Sequence, residues 1–225
     1  MTQLHTINNY GTTTINKHDA LLVIDMQYDF IPGGALPVAE GDTIVKPISA
    51  LMDKFFAKGA TVVCTQDWHP VGHRSFASAH GKNPFDPVTE PGIGPVLWPD
   101  HCVIGTQGAE LHKDLATQYS HIIIRKGYNM TIDSYSAFVE NDKKTVTGLA
   151  GYLQSRGVTR IFVSGLAFDY CVHFTAVDGS LAGFEAIVIT DCAKAVNSPA
   201  TSVDDAIANM NAHGVKFCAS SDLSF

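Results

Sequence analysis

Six short apolar runs recur along the chain from residue 20 onward, at 20–24, 60–65, 121–125, 160–164, 186–190 and 215–218. They are rich in β-branched residues and continuous rather than alternating, as strands covered on both faces are. The stretches between them follow a helical period. Ile44, Ile48, Leu51, Met52 and Phe55 would share one face and stop at Gly59. Pro47 argues against helix through the first turns of that segment. Val146, Leu149 and Leu153 repeat the pattern before Gly157, and segments 171–182 and 200–213 close at Gly183 and Gly214. Strand–helix alternation of this kind implies right-handed crossovers and a parallel sheet. The expected fold is a three-layer α/β/α domain with a six-stranded, mainly parallel sheet over residues 19–225. Residues 1–18 are polar and rich in Thr and Asn. They are expected to form a mobile N-terminal extension, not a signal peptide.

Two stretches break the alternation. Residues 30–40 are Gly/Pro-rich, and 68–108 contains Pro70, Pro84, Pro87, Pro91, Pro95 and Pro99. Long loops inside a compact domain usually carry function.

Composition narrows the classes. With 225 residues, 45% hydrophobic and 16% charged, the chain can build one full core and is not a disordered protein. No apolar run approaches a membrane span. A net charge of −7 without a Lys/Arg cluster excludes nucleic acid as a partner. Five cysteines, an odd number with no CxxC, point to a reducing compartment, the cytoplasm, with most of them acting as small buried hydrophobes.

In open parallel sheets, ligands bind beyond the carboxyl ends of the strands. Asp25 follows the first expected strand, Asp67 and His69 the second, and Lys126 the third; the fourth leads into Cys171 at the start of a helix. A helix start and a neighbouring ammonium favour the thiolate, and a carboxylate can take the thiol proton. Asp29 and Asp191 compete for the base role and rank behind Asp25 as capping or supporting residues. In an extended segment, Asp67 and His69 point the same way and can reach one ion, with His101 as third ligand. Such a set suits Zn²⁺, Fe²⁺ or Mn²⁺. His73 lies close enough to be a fourth ligand or a supporting group.

The stretches Asp25-Met-Gln-Tyr-Asp-Phe30, Gln66-Asp-Trp-His-Pro70, Trp98-Pro-Asp-His-Cys102, Asp133-Ser-Tyr-Ser-Ala-Phe138 and Gly165-Leu-Ala-Phe-Asp-Tyr-Cys171 appear in one order over residues 19–222. Together they resemble the nicotinamidases (pyrazinamidases) of the isochorismatase-like cysteine hydrolases. The resemblance implies that family's fold and a catalytic triad of Asp25, Lys126 and Cys171. It also implies a divalent metal on Asp67, His69 and His101, and an oxyanion hole from the Ala167 and Cys171 amides. Phe30, Trp98, Tyr135 and Leu166 would line the pyridine pocket, and Leu166–Ala167 would be a cis peptide. The implied reaction is hydrolysis of nicotinamide, and also pyrazinamide, through a thioester on Cys171, serving NAD salvage. The expected partner is this small substrate, in a monomer or homo-oligomer. Phe168 departs from the pattern, because the family commonly carries Thr there. Among rivals, isochorismatases act without a nucleophilic cysteine, some related amidases act without metal, and a redox protein would need a resolving cysteine.

Overall fold

In the computed structural model, which describes residues 7–225, each of the six apolar runs is a strand of one sheet. The elements in chain order are β1 (Thr13–Thr14), β2 (Asp19–Ile24), α1 (Val45–Ala57), β3 (Thr61–Asp67), β4 (Ile122–Lys126), α2 (Leu149–Ser155), β5 (Arg160–Leu166), α3 (His173–Leu181), β6 (Glu185–Lys194), α4 (Ser202–Ala212), β7 (Lys216–Cys218) and β8 (Leu223–Ser224). The large sheet has the order β4-β3-β2-β5-β6-β7, and every pairing in it is parallel. "Mainly parallel" is thus wholly parallel. β2 and β3 are buried at every position, which is why their sequences do not alternate.

Successive strand residues face opposite sides of a sheet. On β5, Phe162 packs edge-on against Phe55 of α1 at 5.5 Å. Its neighbour Ile161 reaches Gly179 of α3. Helices α1 and α3 therefore cover opposite faces, which makes three layers. β5 also carries a register shift against β6 between Val163 and Gly165. Gly165 has φ 112° and lies so close to the β2 backbone that a Cβ would meet the Ile24 carbonyl at 2.1 Å. Only glycine fits that approach.

Three local expectations change. Pro47 sits in the first turn of α1, where its missing N–H costs no helical bond. α2 begins only at Leu149, and Val146 is exposed and bridges Val139 before it. The segment expected to start a helix at Cys171 is a π-helical turn, Phe168–Val172, running into α3.

Of the expected N-terminal extension, residues 1–6 lie outside the described residues. Residues 7–18 make hydrogen bonds to the domain. Phe217 donates its N–H to the Asn8 carbonyl at 2.9 Å and accepts from Tyr10 at 2.8 Å. β1 pairs with β8, and the Arg160 guanidinium grips Asp19 at 2.6 and 2.7 Å while reaching Tyr10 and Thr13.

Candidate active site

Four neighbouring strands in the order β4-β3-β2-β5 end at Lys126, Asp67, Ile24 and Leu166. Their carboxyl ends share one edge, so the reactive side chains converge from distant parts of the sequence. Asp25, just past β2, has φ 47°, a conformation that Asp tolerates better than most residues. The Thr65 hydroxyl accepts the Asp25 N–H at 3.0 Å and donates to Asp25 Oδ1 at 2.6 Å.

Lys126 is fully buried at the centre of the group. Its ammonium donates to Asp67 Oδ1, to the Ser134 carbonyl at 2.9 Å and to Cys171 Sγ at 3.4 Å. Those contacts engage all three ammonium protons. Asp25 Oδ2 lies 2.9 Å from the same nitrogen, in a buried ion pair. The ammonium balances its charge, and it lies within reach of the Cys171 thiol proton. Oxygen and sulfur atoms of Asp25, Asp67 and Cys171 lie within 4.8 Å of one another.

The electrostatics follow from shared burial. Burial opposes the charge on Lys126, yet Asp25 and Asp67 hold its ammonium well above the ordinary lysine range. Burial raises the Asp25 carboxyl, with Lys126 working against the rise and Asp67 adding to it. Burial opposes ionisation of Asp67 too, but Lys126 and the two imidazoles keep it well below the usual carboxylate range. Burial, reinforced by the two carboxylates and opposed by Lys126, pushes the Cys171 thiol well above its ordinary value. This reverses the expectation of a lowered thiol. A helix start and one cation do not outweigh dehydration beside two anions.

Beside this group stands the expected metal set. His69 donates from Nδ1 to the Gly127 carbonyl and His101 from Nδ1 to the Pro99 carbonyl, both at 2.8 Å. That leaves each Nε2 turned to Asp67 Oδ2, 3.7 Å away in both cases. Carbonyl-oriented imidazoles beside a carboxylate fit a divalent metal ion. Gly127 (φ 68°) is required, since a Cβ there would sit 2.5 Å from His69 Cε1. The Gln27 amide fixes the Asp67 backbone, donating to its carbonyl and accepting its N–H, both at 2.8 Å.

The remaining candidates separate cleanly. His73 and Asp133 form a second group of possible ligand atoms with His69. Both His73 ring nitrogens are engaged, however: Nδ1 with Ser75, and Nε2 donating to the Asn129 carbonyl at 2.7 Å. His73 instead stacks on His69 with centroids 4.5 Å apart. Asp29 caps the N–H groups of Ala35 and Cys102, and Asp191 binds Ser220; neither faces the thiol.

A cavity opens above Cys171 with Ala167 beside it. Trp98 and Tyr135 form part of its wall, the Trp98 indole donating to the Tyr135 hydroxyl at 3.1 Å. Phe30 meets His101 edge-on at 5.4 Å. The peptide between Leu166 and Ala167 is cis. Leu166 itself does not line the cavity; its side chain abuts Gly41, because it leaves the strand on the other side from its neighbour. Phe168 is buried and also outside the lining. The sequence reading missed Leu36, Asp133, Tyr170 and Val196, which complete the wall. Tyr170 and Asp133 stand inside recognised motifs; Leu36 and Val196 carry no signal of their own.

The isochorismatase domain family model matches residues 19–222. The chain belongs to the isochorismatase family. Within it, a nicotinamidase of Acinetobacter baylyi is 48% identical over 91% of this chain and 94% of its own. The structure of PnC1 from L. infantum in complex with nicotinate superimposes with a TM-score of 0.82 at 39% identity, covering 95% of this chain and 98% of that one. A pyrazinamidase of Pyrococcus horikoshii in complex with zinc does so with a TM-score of 0.71 at 36% identity, covering 90% and 99%. Among the described residues, no helix is long and apolar enough to cross a membrane.

Proposed function

We propose that the chain is a nicotinamidase that hydrolyses nicotinamide to nicotinate and ammonia, accepts pyrazinamide, and serves NAD salvage. The observation that carries the reading is the convergence of Asp25, paired with Lys126, and the Cys171 thiol in one buried cluster. Likeness to nicotinamidases over nine-tenths of the chain supports the substrate.

Cys171 rests as a thiol. As its sulfur attacks the carboxamide carbon, Asp25 takes the proton and Lys126 balances the charge that develops on sulfur. The Ala167 and Cys171 amides hold the oxyanion, a type of contact whose removal typically costs ~10²–10³ in rate. Asp25 then gives its proton to the leaving ammonia, and water cleaves the thioester. Trp98, Tyr135, Tyr170 and Phe30 clasp the flat ring so that the carboxamide lies over Sγ. Asp67, His69 and His101 would hold a divalent ion, zinc or iron above manganese, which supplies a Lewis-acid anchor for the ring nitrogen when bound. Five unpaired, buried cysteines support a reducing, cytoplasmic setting.

An ammonia assay on nicotinamide, pyrazinamide, N-carbamoyl and ureido compounds tests this function. Release from the two aromatic amides is expected. Turnover confined to the N-carbamoyl or ureido compounds overturns it.

A further inference from the structure

Asp29 stands outside the catalytic cluster, yet its one carboxylate joins two loops that build different parts of the site. Oδ1 accepts the Ala35 N–H at 3.1 Å, and the Asp29 carbonyl accepts the Leu36 N–H at 2.9 Å. These bonds fold the Gly/Pro-rich segment that brings Phe30 and Leu36 to the cavity wall. Oδ2 accepts the Cys102 N–H at 2.7 Å. Cys102 follows His101 directly and has φ 47°, a region a cysteine seldom adopts without outside support. Its carbonyl accepts the His69 N–H at 3.0 Å, and the Ile104 N–H donates to the His69 carbonyl at 2.9 Å. The Cys102 peptide thus links the two imidazole-bearing segments, and Asp29 holds its amide end. Charge-assisted bonds from a carboxylate to backbone N–H groups are strong enough to fix such a peptide. Gly108 closes the arrangement from the far side, where a Cβ would lie 2.1 Å from Asp29 Oδ2.

We propose that Asp29 is a positioning residue that couples the ring-binding wall at Phe30 and Leu36 to the metal ligand His101, setting ion affinity and substrate binding together. The inference rests on the reading of Asp67, His69 and His101 as the metal set. Loss of an outer contact of this kind typically costs ~10–100-fold in metal affinity.

Co²⁺ titrations of the metal-stripped full chain against a competing chelator, with the visible spectrum as readout, test the coupling in Asp29→Ala, Asp29→Asn, Gly108→Ala and His101→Ala. Asp29→Ala is expected to bind Co²⁺ ~10–100-fold more weakly and to raise KM for nicotinamide, with a smaller change in kcat. Asp29→Asn keeps one acceptor and should fall between it and the parent. Gly108→Ala pushes on the same carboxylate from the opposite side and should act in the same direction, which keeps the test intact if Asp29→Ala does not fold. Alkylation of Cys171 by iodoacetamide should proceed at the parental rate in every folded Asp29 and Gly108 variant. Parental affinity and KM in these variants, while His101→Ala loses the ion, overturn the coupling and leave the metal reading standing. Equal slowing of alkylation also overturns it, because the effect is then a general loosening. A parent chain whose Co²⁺ binding is indifferent to His101→Ala sinks the metal reading and the coupling with it.

Discussion

Lys126 lies 2.9 Å from Asp25 Oδ2 in an ion pair with no exposed atom, yet it spends its hydrogen bonds on Asp67, Ser134 and Cys171. Asp25 is thereby held by an ion pair in the same buried cluster as the thiol, which is where a proton acceptor must stand. Asp25→Asn keeps the shape and removes the acceptor, so turnover should fall at least ~10²-fold. Attack of the same sulfur on iodoacetamide also needs the thiol proton removed, so Asp25→Asn should be modified more slowly than the parent at neutral pH. Unchanged modification together with unchanged turnover would move the base role to another residue.

Cys171→Ala should abolish turnover while the protein still folds and binds metal, since one small side chain is removed. The other four cysteines are buried and none lines the cavity. Alanine at Cys64, Cys102, Cys192 or Cys218 should leave substantial activity in folded protein. Ammonia release by Cys171→Ala would defeat the thioester route.

Removal of the ion, or His101→Ala, should raise KM for nicotinamide steeply. Benzamide lacks the ring nitrogen, and its poor turnover should barely respond. Parallel loss for both amides, with the fold retained, would mean that the ion assists the chemical step.

Gly127→Ala sets a methyl group against the His69 ring in a backbone conformation that disfavours alanine. Metal affinity should drop ~10–100-fold by chelator competition. Unchanged affinity would show that His69 does not need its bond to the Gly127 carbonyl.

His173 is buried on α3, and burial lowers its pKa to about 4. The unfolded chain takes up that proton near pH 6.5 and the folded chain does not. Its contribution is therefore complete above pH 6.5 and is lost as pH falls toward 4, amounting to about 3 kcal/mol by the bottom of that window. Urea unfolding between pH 7 and 4 should show a shallower acid decline in His173→Gln. Identical slopes would place the titration elsewhere.

The sheet, and the meeting of Asp25, Asp67, His69, Lys126 and Cys171 at its carboxyl edge, were readable because one physical rule serves both. Strands dry on each face lose their alternation, and their carboxyl ends then show where to look for chemistry. Thr65 escaped notice because a β-branched residue ending a strand looks structural, although its hydroxyl grips both ends of Asp25. Val196 was unreadable because its place depends on a remote anchor. Asp169, two residues before the nucleophile, accepts the Val196 and Asn197 N–H groups at 2.9 and 2.8 Å and the Ser202 hydroxyl at 2.6 Å. The direction of the Cys171 shift escaped for a related reason. It depends on how many carboxylates share one dry space, and that is a property of the assembled edge.

The pairing of β2 with β5 has a kinetic consequence. Arg160 and Asp19, at the start of that pairing, are 141 residues apart along the chain. Closing so large a loop before any reward from burial makes contact order high and folding slow. The carriers of base and nucleophile follow those two strands, so partly folded chains should be inert, and regain of amidase activity should track protection of the central amides. In hydrogen exchange, the amides of β2 and β5 should be the last to open.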